Sequence, residues 1–342
     1  MAKFPDYKDI YVFVEQKDGE PAEVGYELFS EARKLVASMP DMNYKVVGVL
    51  LGENIKDKAK DVIAHGADEV IVVDDPLLKD YSTQFYADAL TQVINNFIPD
   101  SFLTGATVLG RDLAPRVAAR INAGLTADAT KIEIDQTKVP EGEALLLVTR
   151  PTFGGNLFGT IVCPDTRPQM ATIRPKVFDM APADESRYGE VIEFKPEWTD
   201  TTPEVIVEDV VAKIKEGIDI TKADIIVGAG RGAEGALGAV EEAAAELGGV
   251  VAGTRAAVED GFLDKAQQVG QTGKTVRPSL YIACGISGAV QHVAGMEKSD
   301  FIIAINRDPE AEIFKIANLG FVGDVNQVLP LLVEEIKKAK EA

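Results

Sequence analysis

Residues 224–247 read DIIVGAGRGAEGALGAVEEAAAEL, and the fold of the C-terminal half follows from them. The apolar run at 224–227 predicts a buried strand, and the apolar stripe at 237–247 has the spacing of a helix that ends before a Gly-Gly pair. Between them lies a G-x-G-x-x-A turn at 228–233, which is typical of nucleotide-binding α/β sheets because glycines let a phosphate approach the backbone. The same turn equally suits close packing of strand and helix, so by itself it leaves nucleotide binding open.

The strand that follows argues against an ordinary NAD site. Residues 250–253 form a second apolar run, and Thr254 and Arg255 follow it directly. An NAD-binding sheet carries a carboxylate about 20 residues after its glycine turn, where it holds the ribose hydroxyls. A cation at this place suits an anionic group instead, and the phosphate of NADP and a reduced flavin both meet that description.

Length and composition indicate a two-domain globular protein with an organic cofactor. The chain has 342 residues, of which 46% are hydrophobic and 26% are charged, and a single core rarely serves so long a chain. Its only cysteines are Cys163 and Cys284, and its only histidines are His65 and His292. We therefore expect small buried cysteines in a reducing compartment, and too few soft ligands for a metal centre.

The overall charge narrows the choice of partners. A net charge of −20 argues against nucleic acid and anionic membrane surfaces, because binding to phosphates depends on Lys and Arg. No apolar run approaches the ~20 residues of a spanning helix, which predicts that the chain does not insert into a membrane. The N-terminal MAKFPDYKD has no apolar signal-peptide core, so a cytoplasmic protein is expected.

The N-terminal half alternates strand-like runs with helical stripes. The predicted strands are Ile10–Val14, Val46–Leu51, Glu69–Val73 and Phe102–Thr104, and the clearest helical stripe runs from Tyr86 to Phe97. This order predicts parallel strands joined by helical crossovers, which is an open α/β sheet.

Between Lys131 and Phe178 the pattern changes to four short strands without helices between them. We predict that they form an antiparallel extension of the same domain, and Met170–Ile173 is the last of the four. Residues 179–203 contain three prolines, many charges and the only tryptophan, Trp198. They are predicted to be a linker with a local anchor.

The domain boundary is therefore predicted at the end of this proline-rich stretch. Residues 1–203 form the N-terminal α/β domain, and residues 204–342 form a second α/β domain with a Rossmann-like parallel sheet. Apolar spacing predicts that the second domain opens with a helix at Val205–Ile214.

Three further segments of the second domain combine apolar runs with polar, glycine-containing turns. They read VGQTGKTV at 269–276, LYIACGISGAVQHVAG at 280–295 and FIIAIN at 301–306. The second segment has the pattern of a buried strand, a glycine turn and a helix start. In it, Ser287 is predicted to cap the helix, and Gly288 and Ala289 leave room for a phosphate.

These segments together resemble the alpha subunit of the electron transfer flavoproteins. The stretch from Leu280 to Asn306 has the family's spacing of Gly-x-Ser-Gly, Gln-His, Gly and Ala-Ile-Asn. Segments of the first domain resemble the family as well, namely LGRDLAPRVAAR at 109–120, GLTAD at 124–128, RPTFGGN at 150–156 and TIRP at 172–175. The resemblance covers nearly the whole chain and is most specific from Arg231 to Asp324.

The resemblance implies that the second domain binds FAD. The positions that fall where the family contacts FAD are Arg231, Thr254, Arg255, Val269, Gly270, Gln271, Thr272, Ser287, Gly288, Ala289, Val290, Gln291, His292, Asn306 and Asp324. At one of them, Thr254, a serine is commoner in the family, but the hydroxyl is retained. Apart from the resemblance, Arg255 equally suits a surface ion pair and His292 a structural role.

The resemblance also assigns these positions to parts of the cofactor. It places Arg255 and His292 beside the isoalloxazine, where they would stabilise negative charge. Gln271 and Thr272 would lie near the N5 edge of the ring. The hydroxyl and backbone amides around Ser287 would hold the pyrophosphate. The adenosine end would face the last two positions, Asn306 and Asp324.

A heterodimer with a beta subunit is the assembly that the resemblance implies, with the first domain as the pairing surface. Such a protein relays electrons from acyl-CoA dehydrogenases to another redox protein. A variant with a second flavin takes hydride from NADH and divides the electrons between a high-potential acceptor and ferredoxin or flavodoxin. The chain would be an electron carrier by default and part of a bifurcating oxidoreductase only with its beta subunit. The alternative is a stand-alone NADP- or flavin-dependent oxidoreductase.

Overall fold

The computed structural model describes residues 3–152, 157–205, 207 and 219–341. Residues 3–152 and 157–205 belong to one compact unit, and residues 219–341 belong to a second. The helix predicted at Val205–Ile214 lies outside the described residues, apart from Val205 and Val207. The boundary predicted after residue 203 borders that stretch and stays a prediction.

The N-terminal unit is built on a sheet of seven parallel strands, as the alternating pattern predicted. Its elements are β1 (Lys8–Val14), β2 (Gln16–Lys17), β3 (Glu20–Pro21), α1 (Glu23–Ala37), β4 (Val46–Gly52), α2 (Ala59–Ala64), β5 (Glu69–Asp74), α3 (Thr83–Phe97), β6 (Pro99–Gly105), α4 (Val108–Arg120), β7 (Leu125–Ala129), β8 (Lys131–Asp135), β9 (Leu145–Thr152), β10 (Leu157–Ile161), β11 (Gln169–Ile173) and β12 (Glu190–Glu193). The strand order is β12-β5-β4-β1-β6-β11-β7. Every residue of β4 is buried, because apolar side chains cover both faces of the sheet.

Helices supply the apolar layer on each face of this sheet. On one face, Leu28 and Phe29 of α1 pack into a core with Val12 of β1. On the other face, Leu90 and Val93 of α3 pack with the strand residues whose side chains point to that face. Successive side chains of a strand point to opposite faces, so one apolar strand contributes to both cores.

The antiparallel extension has three strands, in the order β10-β9-β8. The prediction is wrong for Met170–Ile173, which belong to β11 and pair in parallel with β6 and β7 inside the main sheet. All five residues of β11 are buried. A short apolar run suits either sheet, and only long-range pairing assigns it to one of them.

Residues 179–203 are more than the predicted linker. They contain β12, which pairs in parallel with β5 and forms an edge of the main sheet. The predicted anchor is confirmed, because Nε1 of Trp198 donates to Oδ2 of Asp75 at 3.0 Å. The Trp198 ring also lies edge-on to Phe85, with centroids 5.6 Å apart. The charges of this stretch fit the exposed edge strand that it contains.

The C-terminal unit is a five-stranded parallel sheet, as predicted. Its elements are β13 (Ile225–Ala229), α5 (Leu237–Leu247), β14 (Val250–Gly253), α6 (Arg255–Glu259), β15 (Leu280–Cys284), α7 (Val290–Val293), β16 (Phe301–Asn306), β17 (Leu319–Val322) and α8 (Val325–Glu341). The strand order β14-β13-β15-β16-β17 reverses the direction of winding between β13 and β15. Doubly wound sheets bind their ligands at the carboxyl ends of the strands beside such a reversal.

The helix predicted after the glycine turn is confirmed as α5. A 3-10 turn at Arg231–Ala236 separates it from β13, and Gly248 ends it in a left-handed conformation with φ of 68°. Val240 of α5 and Leu329 of α8 share one apolar core with β13. Among the helices of the described residues, none is long and apolar enough to cross a membrane.

Candidate functional site

A cleft of 670 Å³ opens at the carboxyl ends of β13, β14, β15 and β16, where the winding of the sheet reverses. The predicted residues that line it are Arg231, Thr254, Arg255, Val269, Gly270, Gln271, Thr272, Ser287, Ala289, Gln291, His292 and Asn306. Gly288, Val290 and Asp324 are not among its lining residues. Five separate stretches of chain therefore converge on one cleft, as parallel strands with a common edge require.

The two glycine turns of the cleft hold each other. The N–H of Gly230 donates to the carbonyl of Cys284 at 2.8 Å, and the N–H of Gly232 donates to the carbonyl of Gly285 at 3.1 Å. A Cβ at position 230 would come within 2.3 Å of the Gly285 oxygen. Close packing between β13 and β15 is thus the first reason for glycine at 230.

The turn after β15 presents backbone donors in a row. The N–H groups of Ser287, Gly288 and Ala289 have no acceptor within the described part of the chain. Consecutive N–H groups of this kind form anion-binding concavities. Because Ser287 and Ala289 line the cleft, this turn suits a phosphate or pyrophosphate.

Two details of this turn differ from the prediction. The N-cap residue of α7 is Ala289, so Ser287 is not the helix cap. Gly288 has a left-handed φ of 89°, and a Cβ there would lie 2.2 Å from the backbone nitrogen of Ile313. That nitrogen donates to the Ser287 carbonyl at 3.1 Å. Gly288 therefore makes room for a neighbouring turn of the protein, and the phosphate-binding character comes from the backbone amides.

The loop at 268–272 is fixed by hydrogen bonds to its neighbours. The N–H of Gln271 donates to the carbonyl of Gln291 at 2.7 Å. The side chain of Gln268, which is buried, donates from Nε2 to the Thr272 hydroxyl at 3.0 Å. A hydroxyl that accepts one hydrogen bond still has its own proton to donate. Thr272 can therefore act as a donor toward a group in the cleft.

Two arginines supply positive charge at the mouth of the cleft. Arg231 pairs with Asp260, and Arg255 pairs with Glu259, each at 2.7 Å. The arginine side chains are 68% and 66% exposed, and exposed pairs of this kind are weak. The surface ion pair considered for Arg255 is therefore present, but it leaves the guanidinium available to an anionic ligand.

His292 is buried within the wall of the cleft, with 5% exposure. Its Nδ1 donates to the Val269 carbonyl at 3.1 Å, because a carbonyl oxygen can only accept. Nε2 is therefore the unprotonated nitrogen, and it accepts from the Tyr281 hydroxyl at 3.1 Å. Burial lowers the pKa of His292 to about 4. The imidazole is neutral at physiological pH, so it does not supply the positive charge that would stabilise an anionic ring.

The other predicted residues are held by local contacts. Thr254 caps α6 by accepting from the N–H of Ala257 at 3.2 Å. Asn306 donates from Nδ2 to the Ile286 carbonyl at 2.8 Å, which ties β16 to the turn after β15. Asp324 accepts from the backbone N–H of Asn326 at 2.8 Å at the start of α8. Thr254 and Asn306 line the cleft, whereas the carboxylate of Asp324 serves the helix start.

Several lining residues were not predicted. They are Gly230, Gly232, Ala256, Glu259, Gln268, Gly285, Ile286 and Arg307. Helical spacing alone could have indicated Glu259, which is four residues after Arg255 on α6. Nothing local distinguishes Gln268, whose position depends on the fold of the loop.

Comparison with known proteins assigns this architecture to a class. A family model described as the electron transfer flavoprotein domain matches residues 10–198. A second, described as the electron transfer flavoprotein FAD-binding domain, matches residues 219–297. The C-terminal unit is therefore a FAD-binding domain.

Relatives along the whole chain agree with this class. The electron transfer flavoprotein subunit alpha of Thermoanaerobacterium thermosaccharolyticum is 49% identical over 337 residues, covering 98% of this chain and 99% of the relative. An acryloyl-CoA reductase electron transfer subunit beta of Anaerotignum propionicum is 40% identical over 365 residues, 100% of this chain and 99% of the relative. The lactate dehydrogenase (NAD(+),ferredoxin) subunit LctC of Acetobacterium woodii is 42% identical over 333 residues, 97% of this chain and 77% of the relative. The chain belongs to the electron transfer flavoprotein alpha subunit family.

The residues of the cleft fit FAD on physical grounds. A pyrophosphate needs donors, and three backbone N–H groups at 287–289 lack acceptors in the described part of the chain. A flavin ring that gains electrons needs a nearby cation and a donor for N5. Arg255 and the Thr272 hydroxyl line the same cleft and have these properties. The donor set thus suits the pyrophosphate and the flavin ring of FAD.

Proposed function

We propose that this chain pairs with a beta subunit and relays electrons through FAD bound in the C-terminal cleft. When bound, the flavin supplies a carrier that accepts and passes on one or two electrons. The observation that supports the proposal best lies at one reversal of a doubly wound sheet. There, backbone amides without acceptors in the described part of the chain converge with cations and a neutral buried histidine.

The proposed contacts follow from the properties of each residue. The backbone amides of Ser287, Gly288 and Ala289 hold the pyrophosphate. Val290, the next residue, likewise contributes only its backbone. Arg255 stabilises negative charge on the ring, and Thr272 donates toward N5. His292 acts as a neutral neighbour whose position is fixed by Tyr281 and Val269. Asn306 orients the adenosine end, while Asp324 contributes through the start of α8.

The proposed partners follow from the class of protein. One is the electron transfer flavoprotein beta subunit, since relatives are named as alpha subunits. Two relatives have names that refer to an acryloyl-CoA reductase and to a lactate dehydrogenase (NAD(+),ferredoxin). We therefore propose electron exchange with an acyl-CoA dehydrogenase. Participation in NADH-dependent bifurcation with ferredoxin or flavodoxin is a second role that these names support.

We also propose a cytoplasmic location. Cys163 and Cys284 are free thiols in the described part of the chain, which suits a reducing compartment. Burial raises the pKa of both thiols, so neither is primed for redox chemistry.

One preparation tests the proposal. The chain is co-produced with its beta subunit, and the flavins in the purified heterodimer are counted. The flavin absorbance is then recorded before and after NADH is added. One flavin per heterodimer and no bleaching by NADH indicates a simple carrier. Two flavins with bleaching indicates the bifurcating type. A chain that binds no flavin refutes the proposal, and a monomer that reduces its own substrate supports the stand-alone oxidoreductase instead.

A further inference from the structure

Four segments of the first domain, 109–120, 124–128, 150–156 and 172–175, resemble the family. The structure brings one charged residue from each of them together, namely Arg111 of α4, Asp128 of β7, Arg150 of β9 and Arg174 after β11. Asp128 accepts from Nε and Nη2 of Arg174 at 3.1 and 2.8 Å. It also accepts from Nη2 of Arg111 at 3.1 Å. We refer to these four residues as the arginine cluster.

The arginine cluster has more positive than negative charge. Burial alone would raise the pKa of Asp128, but hydrogen bonds from Arg174 and the charges of the three arginines hold it below its usual value. Asp128 is therefore ionised, and three guanidinium groups face one carboxylate. A surplus of two positive charges remains in a chain whose net charge is −20. Such a local surplus attracts an anion.

Within the described part of the chain, Arg150 is the member of the cluster that has no hydrogen-bond or ion-pair partner for its side chain. Its Nε is buried and has no hydrogen-bond acceptor, and no ion pair of Arg150 occurs among the described residues. A guanidinium has five N–H donors, and buried polar groups are normally satisfied. Arg111 is 51% exposed, so the cluster is open to solvent on its side. An incoming oxyanion could accept from Arg150 and from the unused donors of Arg111.

The surroundings of the cluster have the composition of a protein interface. On β10, Gly159 lies opposite Arg150, and Leu157 and Ile161, two positions to either side of Gly159, share this face of the sheet. Leu157 is 58% exposed and Ile161 is 39% exposed, and Val108 at the start of α4 is 92% exposed. Arginine side chains are enriched at protein interfaces. β10 is also an edge strand of its sheet, which leaves its outer side unpaired.

We propose that Arg150 and Arg111 bind a carboxylate of the beta subunit, supplied by an Asp or Glu side chain. In this proposal Arg174 holds Asp128 in place, and the exposed apolar residues of β10 pack around the incoming carboxylate. This inference rests on the proposed pairing with a beta subunit. A protein carboxylate matches the bidentate geometry of a guanidinium. It also brings with it the apolar surface that a free anion lacks.

The test compares two arginine substitutions in the full chain. Arg150→Gln removes the unpartnered charge, whereas Arg120→Gln removes a charge on α4 that is paired with Asp88 at 2.6 Å. The dissociation constant of the heterodimer is measured at low and high salt, with flavin content as a check on folding. Arg150→Gln is expected to weaken pairing by at least about tenfold at low salt and to flatten the salt dependence. Arg120→Gln is expected to stay within about twofold of the unsubstituted chain.

A second variant keeps the test decisive if Arg150→Gln does not fold. Arg111→Gln lies at a half-exposed position, and it is expected to weaken pairing in the same direction. Unchanged dissociation constants for both variants would overturn the inference. A second outcome would also overturn it. Inorganic phosphate at matched ionic strength would stabilise the unsubstituted heterodimer but not the Arg150→Gln heterodimer, while the two dissociation constants stayed equal. The occupant of the cluster would then be a free oxyanion. Failure of the unsubstituted chain to pair at all would refute the proposed function itself.

Discussion

His292 and Arg255 line the same cleft, yet burial gives them opposite chemistry. Arg255 is largely exposed and stays charged. His292 is enclosed by Val269 and Tyr281, which use both ring nitrogens. Removal from water disfavours the charged imidazolium. The family resemblance implied that both residues would stabilise negative charge on the ring, but burial leaves His292 neutral at physiological pH.

The buried histidine makes stability depend on pH. The unfolded chain takes up a proton at His292 near pH 6.5, and the folded chain does so only near pH 4. The unfolded state therefore binds more protons between these values, and the free energy of unfolding falls by about 3 kcal/mol as pH drops through this window. Urea unfolding of His292→Gln should lack this component. If the free energies of unfolding of the two proteins change in parallel with pH, the assignment of a neutral buried His292 is wrong.

Arg255 and Glu259 form a matched pair for testing charge at the flavin. Arg255→Ala should lower the reduction potential of the bound flavin, because it removes a positive charge that favours the electron-rich ring. Glu259→Gln should raise the potential, because it frees Arg255 from its ion pair. Each shift is expected to be roughly 40 mV for a one-electron step. Shifts of the same sign in both variants would contradict the assignment of Arg255.

At the scale of elements, the cleft is formed by turns that pack on one another. The turn after β13 is bonded to the turn after β15 through Gly232 and Gly285. The turn after β15 is also hydrogen-bonded to residue 313, whose N–H donates to the Ser287 carbonyl. Each contact brings two backbones too close for a side chain. The precise placement of the backbone donors therefore depends on glycines that allow this close packing of backbones.

Gly288 provides the test of this arrangement. Gly288→Ala would place a Cβ 2.2 Å from a backbone nitrogen at a φ of 89°, so it should destabilise the C-terminal unit by at least about 2 kcal/mol. Gly238→Ala is the control, since a Cβ on that residue of α5 meets nothing within 4 Å. It should be neutral or stabilising by up to about 1 kcal/mol. Equal unfolding midpoints for the two variants in urea would contradict the packing role of Gly288.

At the scale of the whole molecule, the two units have separate apolar cores. Among the described residues, the apolar clusters of 10–198 and of 220–333 share no member. A ligand that binds only the folded state of one unit stabilises that unit by mass action. The chain should therefore not unfold as a single two-state system.

Trp198 allows the two units to be followed separately. It is the only tryptophan of the chain, and it packs on Phe85 in the N-terminal unit. Excess FAD should raise the midpoint of thermal flavin release, and the midpoint of the Trp198 fluorescence change should move by much less. A hundredfold excess over the dissociation constant corresponds to about 2.7 kcal/mol of added stability. Equal shifts of both midpoints would show that the units unfold together.

The class of sheet could be predicted from the sequence because it depends on local pattern, whereas the candidate lining residues came from the resemblance to the electron transfer flavoproteins. Apolar runs, glycine turns and helical stripes marked β13, α5 and β15, and parallel strands with a common edge bring their carboxyl ends together. The turn at 285–292 was therefore recognisable before its position was known. Twelve predicted residues do line the cleft.

Tertiary structure decided what depends on distant partners. β11 belongs to the parallel sheet because it pairs with β6 and β7, and a five-residue apolar run does not specify its neighbours. His292 is neutral because Tyr281 and Val269 enclose it, and the arginine cluster exists because four separated segments meet. Sequence thus determined the class of sheet and its glycine turns, and the family resemblance supplied the candidate site residues. Charge state, sheet membership and the meeting of the arginine cluster follow from burial and long-range contacts, which no local pattern contains.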